Sequence, residues 1–401
     1  MTSENVFRQI LDPSARADPY PLFKELRKTP VARQDDGTYV VSTYREIVAL
    51  LHDPRISSDR RNLATSTELN LGFIGLDPPE HDRLRRLAMR HFGPPHSPRT
   101  VENLRPDMLA ITTRLIDGIA GEPRADLVDE VAYPLPVAVI CRLLGVPEED
   151  ETQFHAWADQ IIETLGPGEQ DRAERDRARQ AVQVKLEGYL GGLADDRRRR
   201  PGDDMLSGFV TYHGPDGAMT PREVVATAVL LLIAGHETTI NLIANGMLTF
   251  LRHPDLLERV RSEPALIVPA VEELLRYEPP VQMLSSRVAL DDITVAGTTI
   301  PAGSPVVLAL AAGSRDPDHL PDPDTFVPDR PGNEHLGFGG GIHYCFGAPL
   351  ARLEAQIALT ELTRRLRNPR LVTDPPPYRP SPVLRGPRHL LVDYDGVEPG
   401  R

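Results

Sequence analysis

Two cysteines occur in the 401 residues, and one of them, Cys345, sits where a sulfur could do chemistry. It lies in Phe338-Gly339-Gly340-Gly341-Ile342-His343-Tyr344-Cys345-Phe346-Gly347-Ala348-Pro349, a glycine-rich loop that runs into a helix. Pro349 suits the first helical turn, where its missing N–H costs nothing. Backbone N–H groups bared by the glycines and the positive end of the helix dipole both favour a thiolate. Gly341 and Gly347 would let a flat ligand approach the backbone, and Phe338 is placed to cover the sulfur. This is the architecture that a thiolate bond to haem iron requires. From the residues alone two rivals stand beside it. One is a buried free thiol, the state expected of Cys141 in its apolar helix. The other is a zinc site built from His335, His343 and Cys345, which lacks a second paired ligand cluster.

A second polar group, Ala234-Gly235-His236-Glu237-Thr238-Thr239, interrupts the most apolar helical stretch of the chain. It reads equally as a hydrogen-bonded cluster in a core helix and as a functional acid–alcohol pair. A third, Glu273-x-x-Arg276, puts a carboxylate and a guanidinium on one helix face. That spacing alone says little, because Glu80/Arg83, Glu102/Arg105, Glu174/Arg177 and Glu258/Arg261 share it.

Phe338-x-x-Gly341-x-His343-x-Cys345-x-Gly347 resembles the haem-binding signature of the cytochrome P-450 monooxygenases, with every fixed position present. The resemblance runs from the hairpin near Gly37 to the turn Ser381-Pro382-Val383-Leu384. It implies that Cys345 is the axial ligand of a haem b, flanked by Phe338 and Gly347. It places Ala234 against the cofactor, with Glu237 and Thr238 as the proton-handling pair of the oxygen-activation segment. Thr238 would back-bond to the carbonyl of Ala234 and locally loosen the helix. Glu237 would relay protons into a cavity that supplies none itself. The resemblance assigns His81, Arg85, Arg287 and His343 to the haem propionates. Glu273, Arg276 and Arg330, the last within Phe326-Val327-Pro328-Asp329-Arg330, become a structural ion-pair triad. One departure is Ser314, where bacterial relatives usually carry Asn.

The implied reaction inserts one atom of dioxygen into a small, largely apolar substrate, in bacterial natural-product metabolism. The other atom is reduced to water with two electrons, drawn from NAD(P)H through a ferredoxin reductase and a ferredoxin. A peroxide-driven enzyme of the same fold is disfavoured by the intact Glu237-Thr238 pair. A haem-binding sensor or carrier is a different class, and a hydrolase built on Cys345, His343 and Glu237 lacks a recognisable oxyanion hole.

The elements that must position these residues are mostly helical. Helical spacing covers Tyr44–Leu51, His81–Arg90, Val101–Ile119, Leu135–Leu144, Glu149–Leu165, Arg172–Leu193, Pro221–Arg252, 255–277 and the stretch from Pro349 to Leu366. Val31–Arg33 and Thr38–Val41 flank Asp35-Asp36-Gly37 as a hairpin. Arg287–Leu290, Ile293–Val295, Thr298–Ile300 and Val306–Leu310 are short β-like runs. The fold class is mainly α with small β-sheets (α+β). The resemblance makes it a triangular helical prism around a buried haem, in a single domain over residues 1–401.

The net charge of −13 disfavours nonspecific nucleic-acid binding. Arg197–Arg200, bracketed by acids, reads as a solvated turn. The longest apolar run, Val224–Gly235, is too short for a bilayer, and Met1 to Leu11 is no leader. Two cysteines make no disulfide framework. A cytoplasmic monomer without a membrane anchor is expected. Arg83, Arg86 and Arg90 recur on a helix face distinct from that of His81 and Arg85. With Arg352 they would form an exposed patch for an acidic ferredoxin. Substrate-facing residues are expected in Leu63–Leu76, Ile161–Gln170, Leu231–Ala234, Val281–Ser285 and Val383-Leu384, with Asn70, Gln282 and Ser285 as polar handles.

Overall fold

The helix Pro221–Arg252 starts at a capping box in which Thr220 N–H donates to Glu223 Oε2 at 2.8 Å and Glu223 N–H to Thr220 Oγ1 at 3.3 Å. Pro221 fills its first turn, and Pro254 opens the next helix, Pro254–Ser262. A computed structural model of the chain describes residues 3–62, 72–93, 97, 99–163 and 172–400. Among the described residues this one helix is long and apolar enough to cross a bilayer. With 67% of its most apolar window buried inside the protein, it is a core helix.

The chain divides into two compact units, one of residues 1–57, 109–134 and 238–401 and the other of residues 58–108 and 135–237. The boundary at 237/238 falls inside the continuous Pro221–Arg252 helix.

The first unit holds the strands of the described residues. They are β1 (Val31–Arg33), β2 (Tyr39–Val41), β3 (Ile56–Ser57), β4 (Arg124–Asp126), β5 (Leu284–Ala289), β6 (Ile293–Val295), β7 (Thr298–Ile300), β8 (Pro305–Leu308), β9 (Arg370–Leu371) and β10 (Leu391–Asp393). The largest sheet has the order β1-β2-β8-β5-β3, in which β2 and β8 run parallel, Val40 opposite Val307. A three-stranded sheet β4-β10-β9 and the hairpin β6-β7 complete the set. Alternate side chains of these short strands, among them Val41, Ala289, Val306 and Leu308, pack with Ile47, Leu50 and Leu310 into one core. Leu336 belongs to the same core, so the chain enters the cysteine loop from an anchored residue. The helices Ile267–Tyr277 and Ala348–Arg365 meet the long helix at Gly246, where a Cβ would stand 2.9 Å from Leu359 and 3.0 Å from Leu274.

In the second unit the helix that begins at Arg172 continues to Arg199, so Arg197 to Arg199 close a helix instead of forming the expected turn. Arg198 pairs with Asp195 at 2.5 Å, Arg199 pairs with Asp196, and cations in a last turn complement the helix dipole. Helix Glu80–Met89 also lies here.

Candidate functional site

The cysteine loop is held by its own backbone. Cys345 N–H donates to the carbonyl of Phe338 at 3.0 Å, Gly339 N–H to Leu336 at 2.8 Å and Tyr344 N–H to Gly341 at 3.1 Å. Gly347 caps the helix Ala348–Arg365, and Pro349 stands in its first turn as the sequence predicts. Gly341 has φ +62°, and a Cβ there would lie 2.0 Å from the carbonyl oxygen of Leu51. It therefore lets one segment of the chain cross another closely, where the sequence suggested room for a ligand. Gly347 does face open space, with no described atom within 4 Å of its Cβ position. Cys345 is half-buried beside it, and Phe338 is buried. A half-open sulfur at a helix N-terminus with a bare backbone surface next to it fits a flat, thiolate-ligated cofactor.

The zinc alternative is not assembled. His335 Nε2 lies 3.1 Å from Glu272 Oε2. The group of metal-holding geometry among the described residues is Asp126, Asp129 and His389, which includes neither Cys345 nor its neighbours.

Behind the loop, Glu273 and Arg276 are both fully buried. Glu273 receives Arg276 Nε at 2.7 Å and Nη2 at 2.8 Å, Arg330 Nε at 3.0 Å and the N–H of Val327 at 3.0 Å. Arg276 also donates to the carbonyls of Ser314, Pro323 and Thr325. A buried pair satisfied on every side avoids the penalty of an orphaned charge. Ser314 contributes twice, because its hydroxyl also accepts the N–H of Leu336 at 3.2 Å, next to the loop.

Two carboxylates near the loop escaped the sequence reading. Glu272 accepts from His335 and from both Arg352 Nε and Nη2. Glu354 is 1% exposed on the helix that follows Cys345, and its Oε2 has no hydrogen-bond partner among the described residues. Burial pushes its carboxyl up to about 8. The signal for both was a charged residue on an otherwise apolar helix face.

On the long helix, His236, Glu237 and Thr239 are buried, whereas Ala234 is exposed and Thr238 half-buried. These last two are four residues apart and so share one helix face, which is less covered than the face of His236 and Glu237. The chain is α-helical through 234–239, with no 3-10 or π turn at Thr238. Arg287 is half-buried on β5, where the register shifts between Leu284 and Arg287, and its Nη1 donates to the carbonyl of Ser286 at 3.0 Å. His343 ends a short 3-10 turn, Gly341–His343.

Among the residues of the second unit, His81 is buried with Nδ1 2.8 Å from Asp82 Oδ1. Its ring meets Phe73 edge-on at 6.3 Å, and the Arg85 guanidinium lies 5.9 Å from the same ring. His81 and Arg85 thus share a helix face, as their spacing predicts. The opposite face is less open than expected. Arg83 pairs with Glu223, while Arg86 and Arg90 reach Asp216 at 3.4 and 3.3 Å. Their side chains are 35%, 59% and 22% exposed in that order. Three cations against two carboxylates leave Arg86 as the open end of the cluster. Gln282, expected as a substrate handle, is buried and donates to the carbonyl of Pro279 at 2.6 Å. Asn70 and the greater part of Leu63–Leu76 and Ile161–Gln170 lie outside the described residues.

The sequence pattern described as Cytochrome P450 matches residues 31–392. The chain is 41% identical over 403 residues to cytochrome P450 monooxygenase PikC of Streptomyces venezuelae, covering 96% of this chain and 93% of that protein. It is 37% identical over 408 residues to the 6-deoxyerythronolide B hydroxylase of Saccharopolyspora erythraea, covering 96% and 98%. The solved structure of the bacillaene polyketide synthase cytochrome P450 PksS of Bacillus subtilis 168 matches with a TM-score of 0.87 and 32% identity, over 96% of this chain and 99% of that one.

Proposed function

Since the chain belongs to the cytochrome P450 family and is a monooxygenase of its bacterial secondary metabolism branch, we propose that Cys345 ligates haem iron and that the enzyme oxygenates a medium-sized, polyketide-type natural product. The observation that carries the site is the half-buried Cys345 at a helix N-terminus, its N–H tied to Phe338 and open space at Gly347. Phe338, His343, Cys345, Gly347 and Ala234 would hold the haem, and His81, Arg85 and Arg287 with His343 would meet its propionates. When bound, the haem supplies the activation of dioxygen, with the thiolate donating electron density to favour O–O cleavage.

The chain's own part is proton management and water exclusion. Buried Glu237 relays protons through its carboxyl group, and the half-buried Thr238 hydroxyl on the same helix passes them on, accepting a hydrogen bond while donating its own proton. Ile233 and Ala234 present aliphatic surface to an apolar substrate, and exposed Ser285 on β5 offers a polar handle. The names of two relatives, the 6-deoxyerythronolide B hydroxylase and the polyketide synthase P450, support that substrate class. Electrons would come from NAD(P)H through a ferredoxin reductase and an acidic ferredoxin in the cytoplasm, with Arg86 as the accessible cation of the docking face.

Reduced protein under carbon monoxide should give the long-wavelength Soret band of thiolate ligation. Cys345→Ser should abolish that band and Cys141→Ser should keep it; the reverse pattern overturns the ligand assignment. Thr238→Ala should retain haem and substrate affinity while diverting electrons to peroxide, and equal product per reductant consumed would exclude its proton role.

A further inference from the structure

Glu272 stands next to Glu273 on the helix Ile267–Tyr277, yet the two carboxylates serve different segments. Glu273 faces Arg276 and Arg330. Glu272 instead closes a ring of contacts around the cysteine loop. Arg352 Nε reaches Glu272 Oε1 at 2.7 Å and Nη2 reaches Oε2 at 2.8 Å, a two-point bond between planar groups. His335 Nε2 meets Oε2 at 3.1 Å. Because the N–H of Gly337 donates to His335 Nδ1 at 3.1 Å, the ring proton sits on Nε2 and points to the carboxylate. His335 precedes the loop and Arg352 follows it, so one carboxylate ties its two ends together.

The same arginine reaches the middle of the loop. Its guanidinium carbon lies 4.5 Å from the centroid of Phe338, and its Nη1 donates to the Tyr344 hydroxyl at 3.2 Å. Phe338 carries the carbonyl that receives Cys345 N–H. Burial alone would raise the Glu272 carboxyl, but hydrogen bonds from His335 and Arg352 outweigh it and bring it to about 2. The carboxyl is therefore ionised around neutral pH. Arg352, only 30% exposed and doubly bonded, is committed to this ring.

We propose that Glu272 is a positioning residue for the Cys345 thiolate, acting through Arg352 and His335 to hold Phe338 and Cys345 in the geometry that keeps the sulfur ionised. The inference rests on the thiolate reading of the site. It assigns Arg352 to the loop's interior bracing and removes it from the ferredoxin-docking face.

The test follows the chemically reduced carbon monoxide complex of the holoenzyme in time, under mild warming. Loss of thiolate ligation takes up one proton from solvent on the Cys345 sulfur and moves the Soret band to shorter wavelength. Glu272→Gln should accelerate that conversion about tenfold, the weight of one charge-assisted hydrogen bond. Arg352→Gln should do the same, and the double variant should be no faster than either single one, as expected for one shared contact. Arg352→Lys, which keeps charge but loses the fork and the stacking, should fall between parent and Arg352→Gln. Parent kinetics in Glu272→Gln, or additive effects in the double variant, would overturn the proposal. So would slowed ferredoxin-driven reduction in Arg352→Gln with an unchanged conversion rate, which would return Arg352 to partner docking. A parent that shows no long-wavelength band at all would instead defeat the thiolate reading on which this one stands.

Discussion

Glu354→Gln should stabilise the protein at neutral pH, by an amount that grows with pH. The parent carboxyl is fully buried, has no partner at Oε2, and is raised by desolvation from 4.5 to about 8. In the unfolded chain the same group ionises near its ordinary value. Between those two values the unfolded state has released a proton that the folded state retains, so the parent's stability falls as pH rises. Well below pH 4.5 the carboxyl is neutral in both states and costs nothing; above it the loss grows at about 1.36 kcal/mol per unit of pH. By pH 7 the loss reaches about 3 kcal/mol, and above the folded value of about 8 it levels off near ~5 kcal/mol. Glutamine keeps the shape and the polarity and cannot ionise, so it removes only the pH-dependent part. Urea unfolding of parent and variant from about pH 5 to about pH 9, followed by far-ultraviolet circular dichroism, measures the difference directly. A parent–variant gap that stays flat across that range would refute the reasoning. A variant less stable at every pH would show that the ionised carboxylate has a stabilising partner.

The remaining predictions concern other buried groups and the basic face. Arg276→Ala should lower unfolding stability by about 3–5 kcal/mol, because it strands the Glu273 charge in the interior. Arg276→Lys should recover only part of this, since a single ammonium cannot reach Glu273 and the carbonyls of Ser314, Pro323 and Thr325 together; denaturant midpoints check both. The Cys141 thiol, pushed up to about 12 by burial, should resist thiol-directed alkylation in the native holoenzyme and react on unfolding, as peptide mass mapping would reveal. Arg86→Glu should slow ferredoxin-supported reduction at low salt more than Arg83→Glu, because Arg83 is already paired with Glu223. Equal effects measured by stopped-flow reduction would sink that ranking.

The cysteine loop was readable because residue identity there dictates backbone shape. Gly341 at φ +62° against Leu51 and Pro349 in a first helical turn leave few substitutes, and such constraints print themselves on the sequence. The triad was readable only with its meander partner, since the Glu273/Arg276 spacing is common along the chain. What stayed hidden were partners distant in sequence. Helix-face spacing groups Arg83, Arg86 and Arg90 correctly, but nothing in that spacing reveals Glu223 and Asp216 opposite them. Gln282 is buried just before β5, its N–H bonded to the carbonyl of Val383 and its carbonyl accepting the N–H of Ala311, and neither distant partner is announced by the local sequence. At Thr238 the tendency of a hydroxyl to back-bond predicts a local loosening, whereas the chain is α-helical there, beside buried His236, Glu237 and Thr239.

The adjacency of Glu272 and Glu273 has a consequence for how this sequence can diverge. Successive residues of an α-helix point about 100° apart, so two neighbouring acids address different clients without any change of backbone. Arg330 and the meander answer to one, Arg352 and His335 to the other. A substitution on either side can then be compensated by its own acid while the neighbouring circuit stays intact. Drift can in this way retune the electronic surroundings of the sulfur separately from the scaffold that carries it.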